Sequence, residues 1–107
     1  MAALIRRQKR TDNMEFLYED NRIYLNDESG RMIAEVTFPA VSANVVNINH
    51  TFVDDSLRGK GIAGMLLKAC ADKLRSEGKR AFPSCSYAVG WFEKNKEYSD
   101  VYTASVE

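Results

Sequence analysis

Between residues 45 and 78 the apolar pattern changes period once, and this change limits the possible folds more than any other feature of the chain. Residues 45–53 alternate with a period of two, as a strand does: Val46, Ile48, His50 and Phe52 fall on one side and Val45, Asn47, Asn49, Thr51 and Val53 on the other. Residues 61–77 then follow a helical period. Ile62, Leu66, Cys70 and Leu74 form one row with Ala63 and Leu67 beside it, while Lys68, Asp72, Arg75 and Ser76 point away. Gly78 suits a left-handed residue closing that helix. Residues 80–84 read as another short strand, ended by Pro83, which cannot donate to a ladder. A strand, a helix and a strand at this spacing make a right-handed crossover between parallel neighbours.

The preceding residues supply the antiparallel part. Short strands are expected at 14–18, 22–26 and 31–38, with Asp27-Glu28-Ser29-Gly30 as a hairpin turn and Pro39 closing the third strand. After the crossover, Ser86 is placed to cap a helix over 87–96 that brings Ala88, Trp91, Phe92 and Asn95 to one face, and residues 98–107 are expected to be extended or frayed. The fold class is therefore α+β, one mixed sheet of about five strands with two main helices, in a single domain over residues 14–107. A chain with 45% hydrophobic and 28% charged residues is neither disordered nor a coiled coil.

Fifteen Lys and Arg balance fifteen Asp and Glu, which argues against a protein built to coat nucleic acid or an acidic membrane. The balance is uneven: Arg6, Arg7, Lys9 and Arg10 against Asp12 leave residues 1–13 at +3, read as a basic, flexible tail. The apolar start precedes the basic run, the reverse of a secretory signal, and no apolar stretch nears the roughly 20 residues that span a bilayer. The expected compartment is the cytoplasm, where Cys70 and Cys85 stay thiols. A single histidine and no cluster with ligand spacing leave no expected metal site.

Arg58-Gly59-Lys60-Gly61-Ile62-Ala63-Gly64 joins the best strand to the best helix. The first helical turn has backbone N–H groups without intrahelical partners and the positive end of the dipole. Glycines admit a phosphate close to that backbone, and Arg58 and Lys60 add charge, so the segment can cradle a pyrophosphate. It matches neither the P-loop nor the G-x-G-x-x-G fingerprint. A glycine-rich turn that only tightens a strand-to-helix connection has the same spacing, and the residues alone leave both readings open.

The same residues resemble the GCN5-related N-acetyltransferases, whose signature [QR]-x-x-G-x-[GA] is met by Arg58 to Ala63. His50-Thr51-Phe52-Val53 and Pro83-Ser84-Cys85-Ser86-Tyr87 are similar to motifs of the very small single-domain branch of that superfamily. The resemblance implies a fold lacking the helices that larger relatives carry between the third and fourth strands. It implies that the amides of Gly59, Lys60, Gly61, Ile62, Ala63 and Gly64 bind the pyrophosphate of acetyl-CoA. It places the pantetheine arm along Phe52 and Val53, where the fourth and fifth strands diverge, with the thioester near Cys85. The implied function is acetyl transfer from acetyl-CoA, the cosubstrate, to an amine acceptor that is a small molecule or a protein.

This chain departs from the family pattern in its acid–base groups. The fourth strand has no carboxylate, which leaves His50, with Asp54 and Asp55 beyond the strand. In the helix pattern Asn-x-x-Ala-x-x-x-Tyr, Cys85 stands for the asparagine, Ala88 matches, and Phe92 replaces the tyrosine that protonates the leaving thiolate. Cys85, before a helix N-terminus, is placed for a lowered thiol pKa and for a two-step route through an acetyl-cysteine. Direct attack by the amine with Cys85 merely lining the pocket, and a small residue filling a corner, remain open. His50 shares its side with Val46, Ile48 and Phe52, which also fits a half-buried structural histidine. Two other functions stay in view: a non-catalytic CoA or acyl-CoA-binding module, and an interaction domain working through the basic tail.

Overall fold

The computed structural model describes residues 15–106, so the expected basic tail at 1–13 and Met14 lie outside the described residues. Strands β1 (Leu17–Glu19), β2 (Arg22–Asn26) and β3 (Met32–Thr37) form an antiparallel meander in which Ile23 faces Val36 and Leu25 faces Ala34. The turn between β2 and β3 closes on the Asp27 carboxylate, which accepts from the Ser29 amide at 2.9 Å and the Arg31 amide at 3.0 Å, and Gly30 there takes φ +92°.

The alternating segment at 45–53 is not one strand. It divides at Asn49 into β4 (Val45–Ile48) and β5 (His50–Val53). β5 stays antiparallel to β3, giving the sheet order β1-β2-β3-β5, while β4 runs parallel to β6 (Arg80–Pro83) in a separate two-stranded sheet. Thr37 pairs with His50 and Ala40 bridges to Val46, so four steps along one chain oppose three along the other. The extra residue is a β-bulge, and it reverses which side chains face inward. Val46 and Ile48 are buried, whereas His50 and Phe52 are exposed on the other side, with Thr51 and Val53 turned inward instead. This corrects the expectation that His50 and Phe52 share a face with Val46 and Ile48.

Helix α1 (Ile62–Ser76) buries Ile62, Leu66, Leu67, Cys70, Ala71 and Leu74, the row expected from the sequence with Ala71 added and with Ala63 only half-buried. Gly78, at φ +71°, ends it as expected. Helix α2 (Ser86–Lys94) starts one residue earlier than expected, and its N-cap is Cys85 rather than Ser86. The Ile48 carbonyl explains the shift: it accepts the amides of both Ser84 and Cys85 at 3.1 Å, which fixes the corner before Ser86 and leaves Ser86 helical.

The C-terminal segment is neither frayed nor extended throughout: Lys96–Tyr98 form a 3-10 turn, residues 99–101 continue as a turn, and Tyr102 bridges to Ala81. The Ala81 amide donates to Val101 at 2.7 Å, the Thr103 amide donates to Ala81 at 2.8 Å, and Tyr98 and Val101 are buried. These residues add an edge to β6. The core joins Ile23, Val36 and Phe38 of the meander to Ile48, Leu66, Leu74 and Phe92. Trp91 meets Phe92 edge-on with centroids 5.1 Å apart and Tyr98 at 5.3 Å, so the two rings of α2 serve packing, as their spacing implied. The opposite face of the larger sheet carries Arg22, Tyr24, Glu35, Thr37, His50 and Phe52, none of them fully buried.

Candidate functional site

The connection from β5 to α1 is a built turn. Asp54 caps a short 3-10 turn, accepting the Ser56 amide at 3.0 Å and the Ser56 hydroxyl at 2.6 Å, with Arg31 at 3.4 Å. The Ser56 hydroxyl and amide, with help from Arg31, hold the Asp54 carboxyl below its ordinary range. Asp55 pairs with the Arg58 guanidinium at 3.0 Å. Both carboxylates beyond the strand are therefore engaged in shaping the turn.

Gly59 and Gly61 follow at φ +82° and +73°, a backbone that L side chains rarely adopt, and a Cβ on either would meet nothing within 4 Å. The Lys60 amide is directed back to the Leu57 carbonyl at 3.3 Å, so that donor is spent in the turn. The Met65 amide bonds to Gly61, which leaves the amides of Ile62, Ala63 and Gly64 ahead of the first intrahelical bond. Open space, free amides at a helix start and the exposed Arg58 side chain together suit an anion.

An open groove of about 410 Å³ leads away from these amides. Of the residues singled out from sequence, Val53, Arg58, Gly59, Gly61, Ile62 and Ala63 line it, while Phe52, Lys60 and Gly64 do not. Phe52 is turned to the opposite face by the bulge, and only its backbone runs beside the groove. Three lining residues were not anticipated: Thr51, Leu57 and Tyr87. For Tyr87 a signal existed, since it lies one helical turn before Trp91. A Cβ on Gly64 would sit 3.9 Å from both the Tyr87 hydroxyl and the Trp91 indole nitrogen. Along this groove β5 has a ladder partner only in β3, because β4 has left to pair with β6. Its second edge is thus placed to receive an extended ligand as a strand would be received.

Cys85 does not line the groove itself, but it sits beside Thr51, which does. Its sulfur lies 3.4 Å from the Thr51 hydroxyl. Burial pushes the thiol pKa up, but the Thr51 hydroxyl and the backbone amides of Ala88, Tyr87 and Thr51 outweigh it, and the net position is below the ordinary thiol value. Cys70 is the contrast: fully buried under α1, it is driven strongly upward by desolvation and is inert core, as its row implied.

His50 is half-exposed on the opposite face, with Nε2 3.7 Å from Glu35 Oε1. The Glu35 carboxylate also pairs with Arg22. Glu35 was not anticipated; the alternation of β3 placed it on the polar face, but the register that sets it near His50 follows from long-range pairing. The asparagines of the bulge region are anchored, Asn47 accepting from the Ser84 hydroxyl at 2.7 Å and Asn49 from the Thr37 hydroxyl at 2.6 Å. A second cavity of about 580 Å³ opens on that side, lined by Glu19, Asp20, Asn21, Arg22, Thr37, Pro39 and Asn49. Among the described residues no group of three or more His, Cys, Asp or Glu is disposed to hold a metal, and no helix is long and apolar enough to cross a membrane.

The GCN5-related N-acetyl-transferase family model matches residues 22–101, well over half of the sequence. The chain belongs to the GCN5-related N-acetyltransferase family. An NMR structure of a GCN5-like protein from Staphylococcus aureus is 36% identical, with a TM-score of 0.72 over 87% of this chain and 91% of that one. The GNAT family N-acetyltransferase YhbS from Escherichia coli, solved in complex with CoA, is 25% identical with a TM-score of 0.52, over 58% of this chain and 38% of that one. Protein NATD1 from Bos taurus is 36% identical over 62 residues, 58% of this chain, so the match spans about half the length (55%) of that relative.

The second helix departs from the pattern that the resemblance implies. Phe92, at the position where the resemblance implies a tyrosine, is buried against Trp91 and carries no proton to give. The nearest phenol to the groove is Tyr87, one turn earlier on α2.

Proposed function

We propose that this chain is an acetyl-CoA-dependent N-acetyltransferase that moves the acetyl group to a primary amine. The observation that carries the proposal is the continuity of one groove, from the glycine turn and the first amides of α1, along the unpaired edge of β5, to Thr51 beside the Cys85 sulfur. The complex of the family member YhbS with CoA supports the choice of ligand. In this reading the amides of Gly59, Gly61, Ile62, Ala63 and Gly64, with Arg58, hold the diphosphate, and Lys60 adds only its exposed charge. The backbone of Phe52 and Val53 holds the pantetheine arm, and Tyr87 covers the groove.

The acetyl group then lies close to Cys85. Direct attack needs a neutral amine, an oriented carbonyl and an outlet for one proton. His50 takes that proton on the acceptor side. The lowered thiol pKa favours a second route, in which the Cys85 thiolate displaces the CoA thiolate to give an acetyl-cysteine, and the amine then displaces Cys85. Both routes convert amine and acetyl-CoA to acetamide and free CoA. The buried Phe92 and the engaged Asp54 and Asp55 favour a different reading, a binding module for CoA or acyl-CoA that performs no chemistry. Two free thiols suit a reducing compartment such as the cytoplasm.

Calorimetry with CoA and with acetyl-CoA tests the binding, and amine-dependent release of free thiol from acetyl-CoA tests the chemistry. Binding without thiol release across a broad amine panel leaves the module. No binding of either ligand removes both readings.

A further inference from the structure

We infer that Glu35 is a positioning residue for acetyl transfer, acting through His50 from the sheet face opposite the CoA groove; the inference rests on the acyl-transfer reading above. Three observations lead there. The bulge at Asn49 turns His50, the first residue of β5 after the strands part, to the side of the sheet that the groove does not occupy. The flanking residues Thr37, its register partner, and Asn49, its chain neighbour, both line the second cavity, which opens beside His50 and not around it. Glu35 is the more buried partner, with its side chain 15% exposed against 52% for His50, and it is held from behind by Arg22.

The surrounding charges form a graded row across the sheet. Arg22 pairs with Glu35 on β3 and with Glu19 on β1 at 3.3 Å, and its guanidinium lies over the Tyr24 ring at 3.7 Å. Arg22 is thus fixed on two sides, and through it the Glu35 carboxylate is fixed too. At 3.7 Å the carboxylate is in ion-pair contact with the imidazole and beyond direct hydrogen-bond length. Its field favours a proton on the nitrogen facing it, Nε2, and so leaves the Nδ1 lone pair free for an incoming group. In the transfer, the amine nitrogen bonds to the thioester carbon and the carbon–sulfur bond breaks with its electron pair on the CoA sulfur. The proton shed by the nitrogen passes to Nδ1 and from there to solvent, and solvent returns one proton to the thiolate. Glu35 itself touches neither reactant. It sets the tautomer and then faces the imidazolium that forms.

The chain has one histidine, so nitrogen-15 spectra of the imidazole report His50 alone. The test compares wild type, Glu35→Gln, Glu35→Leu and Arg22→Gln, each with and without acetyl-CoA. The expected result is one dominant neutral tautomer in wild type, protonated on Nε2, and a mixed population in Glu35→Leu, with Arg22→Gln between the two. In turnover, with n-butylamine as the acceptor probe, Glu35→Gln should lower kcat by about 10-fold and leave the KM for acetyl-CoA within about twofold. In a His50→Gln background the same substitution should change nothing. An imidazole spectrum identical in wild type and both Glu35 variants overturns the inference, as does an equal Glu35→Gln loss with and without His50. If acetyl-CoA does not bind to wild type, the acyl-transfer reading fails instead, and the tautomer comparison still decides what Glu35 does to His50.

Discussion

Gly61 offers the sharpest test of the anion site, because its backbone and its surroundings separate folding from binding. It sits at φ +73° and ψ +20° as the N-cap of α1, and a Cβ built there meets no atom within 4 Å. An L-residue in this left-handed conformation costs about 1 kcal/mol, with Asn and Asp the most tolerant. Gly61→Asp and Gly61→Asn should therefore both fold, with a Tm lowered by about 4–8 °C. They differ by one charge. A carboxylate about 4 Å from a bound diphosphate is opposed by about 4 kcal/mol per charge pair at an effective dielectric near 20. Salt at physiological strength screens an open groove to about half of that. Gly61→Asp should thus weaken CoA by roughly 30- to 1,000-fold in Kd, and Gly61→Asn by at most about 10-fold. Calorimetry at two salt concentrations checks both parts, since the gap between the variants must narrow as salt rises. Equal affinities for the Asp and Asn variants, at matched Tm, would refute the assignment of the diphosphate to these amides.

Incubation with acetyl-CoA in the absence of an amine should add one acetyl group to the peptide carrying Cys85, and full turnover by Cys85→Ala would leave direct transfer alone. Thr51→Val removes the hydroxyl that lies 3.4 Å from the sulfur, so the thiolate absorbance of Cys85 should appear at higher pH than in wild type. Leu66→Ala empties a fully buried site between α1 and the sheet and should cost about 3 kcal/mol in chemical denaturation. Tyr98 donates to Asp72 at 2.6 Å, and this hydrogen bond holds the Asp72 carboxyl below its ordinary range. The stability it gives is present above the unfolded carboxylate pKa and is lost as pH falls through the lowered folded value. Tyr98→Phe should therefore be less stable than wild type by about 1 kcal/mol at neutral pH, solvent screening included, and the difference should vanish in acid.

What was legible in the sequence follows from local physics. The helical row of α1, the Asp27 turn, the left-handed Gly78 and the core role of Cys70 each depend on neighbours within a few residues, and each appears where the pattern put it. The glycine turn was legible for the same reason. The bulge was not. An alternation of nine residues looks unbroken in sequence, because the extra residue is defined only by the register against β3. From that one omission came the misplaced side of His50 and Phe52 and the unseen contact of Glu35 with His50. The N-cap at Cys85 was missed because serine is the better capping residue, yet the Ile48 carbonyl, brought there by the crossover, decides the corner. The ordered tail was missed because its partner, Ala81, is a long-range one.

The bulge also explains why so small a chain can hold two approaches to one gap. β6 pairs all four of its residues with β4 and ends at Pro83, so beyond Ile48 the edge of β5 faces the groove with no strand beside it. The inserted residue at Asn49 parts β4, which runs parallel to β6, from β5, which stays with β3. It turns Thr51 toward Cys85 and His50 toward Glu35, on opposite sides of the same strand. Deleting Asn49 should merge the two halves into one regular strand, with His50 then next to Ile48 in sequence and still on the opposite side, and close the parting of β4 and β5. Circular dichroism should still report a folded domain, because the buried row of α1 is untouched, while CoA binding by calorimetry should be lost. A deletion variant that keeps its CoA affinity would mean that the parting of the strands is not what admits the ligand.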